Sequence, residues 1–127
     1  DNEKEIARRA IESYKGYRDI IMNGDLYRIG SPYDDSFAYG VLYVAQDKSR
    51  AVFFAYSIRY DSRYSTPLFR LDGLDSSRNY LITELNVDKS SSWFSGKVLP
   101  GSLLMNKGIN PPLRKVYDSA VFLLEER

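Results

Sequence analysis

The chain has 127 residues, 43% hydrophobic and 28% charged, with 18 Lys+Arg against 17 Asp+Glu and neither Cys nor His. That length suits one domain with a real core. The missing residue types exclude disulfides, the usual zinc and copper ligand sets, and any nucleophile system built on His or Cys.

Near-neutral, dispersed charge argues against a nucleic-acid surface, which needs clustered cations to displace counterions from phosphate. No apolar run approaches the ~20 residues that span a bilayer, so the sequence predicts a soluble chain with no membrane partner, cytoplasmic or periplasmic. The chain enters a helix at once without an initiator Met, as expected of a piece of a longer protein.

From Asn2 to about Met22, Ile6, Ala10, Tyr14, Tyr17 and Ile21 recur at spacings of four and three, with Ala7 and Ile11 beside them. This is helical periodicity with one apolar stripe. Arg8, Arg9, Glu12, Lys15 and Asp19 take the other face. Asn2 with Glu5 has the spacing of a capping box, and Gly24 is the expected left-handed stop.

After Gly24 the period becomes alternating. Strands are predicted at Leu26–Ile29, Phe37–Gln46, Ala51–Ile58, Leu68–Leu71, Asn79–Leu85 and Val116–Leu124. Asp47-Lys48-Ser49-Arg50 is a short polar turn that makes the second and third an antiparallel hairpin. In Ala51–Ile58, Val52, Phe54 and Tyr56 share one face while Ala51, Phe53 and Ala55 share the other, so this strand should be central and covered on both sides. Phe54 is the expected packed aromatic. Punctuation by Gly73, Ser90-Ser91-Ser92, Pro100-Gly101 and Pro111-Pro112 divides the rest into short pieces. The predicted fold class is mainly β: an antiparallel β-sandwich with Greek-key connections over 25–127, preceded by one N-terminal α-helix over 1–24.

Few residues invite chemistry. Asp34-Asp35 and Glu125-Glu126 are adjacent carboxylates, and neighbours in extended chain point to opposite sides. Neither pair converges as a glycosidase requires, and the sequence assigns no catalytic residue, metal ligand or cofactor. Arg59-Tyr60-Asp61-Ser62-Arg63-Tyr64 interleaves cations with rings that suit stacking, and its place between strands makes it a surface loop. Tyr60 and Tyr64 are candidate sugar contacts. Trp93 is another, because indole presents a flat apolar face to a pyranose; a lone Trp in a small β domain is more often core or interface. The 11 Tyr are explained by packing at alternating strand positions and on the helix stripe.

Tyr14-Lys15, Tyr17-Arg18-Asp19-Ile20-Ile21, Gly24-Asp25-Leu26-Tyr27-Arg28 and Ser31-Pro32 resemble the junction between catalytic barrel and C-terminal domain in bacterial α-galactosidases of glycoside hydrolase family 36. Tyr43-Val44, Asp47-Lys48-Ser49 and Ala51-Val52-Phe53-Phe54-Ala55 look like the hairpin of that domain. Leu71-Asp72-Gly73-Leu74-Asp75, Tyr80, Ser95-Gly96, Leu104-Met105-Asn106, Gly108 and Asp118-Ser119-Ala120 follow in the family's order. Two departures stand out: Lys97–Ser102 is longer than usual, and Phe37-Ala38-Tyr39 stands where a Trp is expected nearby.

The resemblance implies a retaining mechanism run by two Asp residues on the strands of an upstream barrel, outside this chain. It implies that the helix is the barrel's last, with Ile6, Ala10, Tyr14, Tyr17 and Ile21 as the barrel interface. The catalytic barrel of the same parent chain is then the partner, and a separated fragment is expected to self-associate. A sandwich that covers and stabilises the barrel is the first functional reading, and a carbohydrate-binding module the second.

Overall fold

The computed structural model describes residues 2–29, 38–57, 68–85, 92–111, 113 and 119–127. Helix α1 (Asn2–Asn23) leads into strand β1 (Asp25–Ile29), followed by β2 (Ala38–Val44), β3 (Arg50–Ser57), β4 (Asn79–Leu85), β5 (Val98–Pro100), the short helix α2 (Gly101–Asn106) and β6 (Ser119–Glu126). The strands form one antiparallel sheet in the order β1-β2-β3-β6-β4-β5. The mainly β, antiparallel character behind a single N-terminal helix is as the sequence predicts. The Greek-key feature is the return of β6, which passes β5 and inserts between β3 and β4.

Among the described residues the layer packed on this sheet is not a second sheet. It is made of turns, α2 and one isolated bridge, Phe69 to Ile109, which stands where the sequence suggests a strand over Leu68–Leu71. Leu71 turns away from that bridge to donate its amide to Leu104 of α2. Only one rung of a ladder can form there. β5 and α2 occupy the stretch that alternation alone leaves as a loop.

β3 is central, flanked by β2 and β6. The main core lies on the Phe53 side, not the Phe54 side. Phe53 is fully buried and meets Phe69 (5.4 Å between ring centroids) and Phe122 (6.3 Å). Leu42, Leu71, Leu74, Tyr80, Ile82, Phe94, Leu104 and Ile109 complete this core. Phe54 is half-buried and faces α1, with edge contacts to Tyr17 at 6.0 Å and Tyr43 at 6.1 Å.

Two local expectations for α1 change. Asn2 already lies within the helix, and the Glu5 carboxylate accepts from Arg8 and Arg9 rather than reaching back to cap it. Together with the Arg8–Glu12 pair at 2.8 Å, these ladder contacts support the helix from its own surface. Gly24 does not adopt a left-handed conformation. It ends the helix because its amide still bonds Ile20 O (2.8 Å) while the backbone of β2 crosses so closely that a Cβ would lie 2.4 Å from Val44 O.

Candidate functional site

Two surfaces on opposite sides of the sheet hold the residues that the sequence singles out. The first is α1. Tyr17 and Ile20 are buried against Val52, with Ile21 packed alongside. Arg50 fixes this end by donating to Gly16 O and pairing with Asp19 at 3.3 Å. The predicted stripe therefore divides: Tyr17 and Ile21 meet the sheet, whereas Ile6, Ala10 and Tyr14 are exposed, Ile6 at 58%. Ile11 and Met22 are exposed too. Ile20, absent from the predicted stripe, is the most buried residue of the helix, because the true contact line curves one residue away from a strict four-three repeat.

Beyond the reach of α1 the same sheet face carries Tyr39 and Tyr56, paired across β2 and β3 and stacked at 5.3 Å. Burial raises the Tyr56 phenol above its ordinary pKa, and so do the neighbouring rings Tyr39, Tyr43 and Tyr17. Burial likewise raises Tyr17. Among the described residues this is an aromatic, half-covered face.

The second surface is the turn at 92–97. It is pinned to β4 by Gly96 N donating to Ile82 O (2.6 Å) and Ile82 N donating to Lys97 O (3.0 Å). Its two aromatics divide the roles: Phe94 is fully buried against Phe122, and Trp93 is 55% exposed. Trp93 is therefore not a core residue of this domain, which leaves interface and ligand contact as its two readings. The indole is nonetheless fixed. Its Nε1 donates to Asn110 Oδ1 (3.2 Å), its edge meets the Phe94 ring at 5.5 Å, and Lys97 Nζ lies 5.9 Å from its centroid. Asn110 in turn follows Ile109, which is locked to Phe69 by both bridge hydrogen bonds. The neighbouring Ser92 Oγ is buried without a hydrogen-bond partner. Tyr60 and Tyr64 lie outside the described residues, as do Asp34 and Asp35.

A polar hub closes one end of the sheet. Tyr80 is buried; its hydroxyl donates to Lys48 O (2.8 Å) and accepts from Asp75 N (3.0 Å), joining two turns far apart in sequence. Burial raises its pKa. Asp47 and Asp75 each accept from a Ser two residues on, hydroxyl and amide together, and these bonds hold both carboxyls below the usual range. Arg78 donates to Asp47 O and pairs with Asp75 (3.3 Å) and Glu126 (3.6 Å). Glu125 and Glu126 are successive on β6 and face opposite ways. Asp47, Asp75 and Glu126 are each committed to a turn or an ion pair. Among the described residues no group of three acidic side chains could hold a metal ion, and no helix is long and apolar enough to cross a membrane.

Residues 38–124 match the model of the glycosyl hydrolase family 36 C-terminal domain. Alpha-galactosidase 2 of Hypocrea jecorina is 32% identical over 108 residues, 85% of this chain and 13% of that protein. The bifunctional alpha-galactosidase/sucrose kinase AgaSK of Mediterraneibacter gnavus is 28% identical over 127 residues, 99% of this chain and 12% of that protein. Among solved structures, the galactosidase domain of AgaSK superposes with a TM-score of 0.83 at 26% identity, covering 100% of this chain and 16% of the other. The GH36 alpha-galactosidase AgaB from Geobacillus stearothermophilus superposes with a TM-score of 0.81 at 23% identity over the same shares, a likeness of fold. The relatives are fungal as well as bacterial, so the bacterial origin suggested by the resemblance does not follow. The chain spans only 12–13% of the length of these two relatives. With the family match extending over more than half of its residues, from the start of β2 into β6, the chain belongs to the glycosyl hydrolase family 36 C-terminal domain family.

Proposed function

We propose that this chain is the non-catalytic C-terminal domain of an α-galactosidase, and that it packs on the catalytic barrel of the same parent chain and stabilises it. The observation that carries the reading is the divided stripe of α1: Tyr17 and Ile21 are docked on the sheet, while Ile6 and Tyr14 are exposed. A helix with one end bound to the sheet and its free apolar positions turned outward is suited to serve as the last helix of a barrel. The half-covered tyrosines on the same face, Tyr39 and Tyr56, extend that contact area. Chemistry is left to carboxylates of the barrel, since Asp47, Asp75 and Glu126 of the hub are committed to turns and ion pairs.

The test compares one substitution in two contexts. In the 127-residue chain, Ile6→Asp should shift stability by less than about 0.5 kcal/mol, as for other exposed positions. In the parent enzyme the same change should lower the temperature at which aryl α-galactoside hydrolysis is lost. A neutral result in both contexts would refute the interface. The chain by itself should not hydrolyse an aryl α-galactoside. A second reading, a carbohydrate-binding role, is favoured by one observation: the exposure and fixed orientation of Trp93.

A further inference from the structure

The turn at 92–97 presents a large aromatic ring to solvent and holds it still. Such rings normally bury themselves when a neighbour permits, and here the neighbour is Phe94, which takes the core position. Trp93 stays outside. Its indole N–H, the one polar group that would otherwise seek water, is already bonded to Asn110, and the ring edge rests on Phe94 at 89° between planes. A ring fixed in this way loses little side-chain freedom when something stacks on it, which is the costly part of weak binding.

The polar surroundings are donors. Lys97 places its ammonium over the ring, 5.9 Å from the centroid. Asn110 uses its Oδ1 on the indole, which leaves its amide N–H groups as donors at the ring's edge. An apolar flat face flanked by donors fits a neutral sugar ring, whose C–H face covers the indole while its hydroxyl oxygens accept. Among common pyranoses, galactose has the most continuous C–H face, because its axial O4 leaves the hydrogens on C3, C4 and C5 on one side.

The location matters as much as the ring. Trp93 belongs to the layer packed on the Phe53 side of the sheet, through Phe94 and Phe122. α1 packs on the Val52 side. The layer that carries Trp93 is thus on the opposite side of the sheet from the helix face that the interface proposal assigns to the barrel. We infer that Trp93, with Lys97 and Asn110, is a weak accessory site for terminal galactosyl residues of oligosaccharides, on the side of the domain away from the barrel interface. This site rests on the α-galactosidase reading for its ligand class, but not on the interface proposal.

The chain holds a single Trp, so its fluorescence reports on Trp93 alone. Titration of the 127-residue chain with methyl α-galactoside and with raffinose should give a saturable emission change at millimolar sugar. Methyl α-glucoside, whose equatorial O4 interrupts the C–H face, should bind at least about threefold more weakly. Retardation of the chain in gels containing galactomannan gives a second readout that does not need the fluorophore. There Trp93→Ala should abolish retardation, Trp93→Phe should keep part of it, and Asn110→Ala should weaken it, all with an unchanged far-ultraviolet circular dichroism spectrum. An unsaturable response, or equal response to the two glycosides, would overturn the site. So would a parent enzyme in which Trp93→Ala lowers the thermal midpoint as Ile6→Asp does, since Trp93 would then be an internal contact. Failure of the Ile6→Asp test with intact sugar binding would instead remove the interface and leave this site standing.

Discussion

Gly40 and Phe53 make a sharp test of where the core lies. They are offset across the β2–β3 pair, and a Cβ built on Gly40 would fall 2.5 Å from Phe53 Cε1 and 2.9 Å from Cζ. The ring has nowhere to move, being fully buried between Phe69 and Phe122. Gly40→Ala should therefore incur an overpacking cost of about 1–3 kcal/mol, partly offset by about 0.5–1 kcal/mol from the stiffer unfolded chain. Phe53→Ala should cost about 3–5 kcal/mol, the usual range for emptying a packed aromatic site. In the double variant the added methyl meets a cavity instead of a ring, so the clash vanishes. The combination should then be more stable than Phe53→Ala alone, with a coupling at the upper end of the ~0.5–3 kcal/mol seen for contacting residues. Urea unfolding followed by far-ultraviolet circular dichroism measures all three. Because a loss of this size is a large part of a typical ~5–15 kcal/mol stability, Phe53→Leu provides a milder second corner for the cycle. Singles that add to the double within about 0.5 kcal/mol would show that Gly40 and Phe53 do not share this space. Phe54→Ala should cost less than Phe53→Ala, reversing the expectation from sequence, since Phe54 is only half-buried.

Stability should fall on the alkaline side. Burial raises the phenols of Tyr17, Tyr56 and Tyr80, so the unfolded chain releases these protons near pH 10 while the fold retains them. Their contribution is complete below that pH and is lost as pH rises through the folded values. Tyr80→Phe should flatten the loss and should cost about 1–3 kcal/mol at neutral pH by stripping partners from Lys48 O and Asp75 N; urea midpoints from pH 8 to 11 check both. On the acid side, Asp47 and Asp75 are held low by their serines, so what they contribute is present above the ordinary carboxylate pKa and lost as pH falls through the folded values. Sedimentation of the separate chain should show concentration-dependent association through Ile6, Ile11 and Tyr14, relieved by Ile6→Asp without loss of fold. Ile21→Asp is the contrasting control: it strikes the docked end and should unfold the domain rather than merely disperse it.

Much of this domain is legible in its residues because local physics is enough for it. The four-three spacing of Ile6, Tyr14, Tyr17 and Ile21 signals an amphipathic helix, and Asp47-Lys48-Ser49-Arg50 makes a turn because Asp47 can bond Ser49 within four residues. Alternation in Ala51–Ser57 reveals a strand with two apolar faces. It cannot say which face receives the thicker layer, since that depends on Phe69, Leu71, Phe94 and Leu104 arriving from far along the chain. So Phe53 rather than Phe54 anchors the core. The insertion of β6 between β3 and β4 is likewise a choice among long-range pairings that no local pattern encodes. The three residues of β5 are too few to show a period, and exist as a strand only because β4 offers Asn79–Leu81 as a template. Trp93 and Phe94 are equally apolar neighbours on paper. Only the position of Phe122 determines which ring goes in, and only that of Asn110 determines how the other is held out.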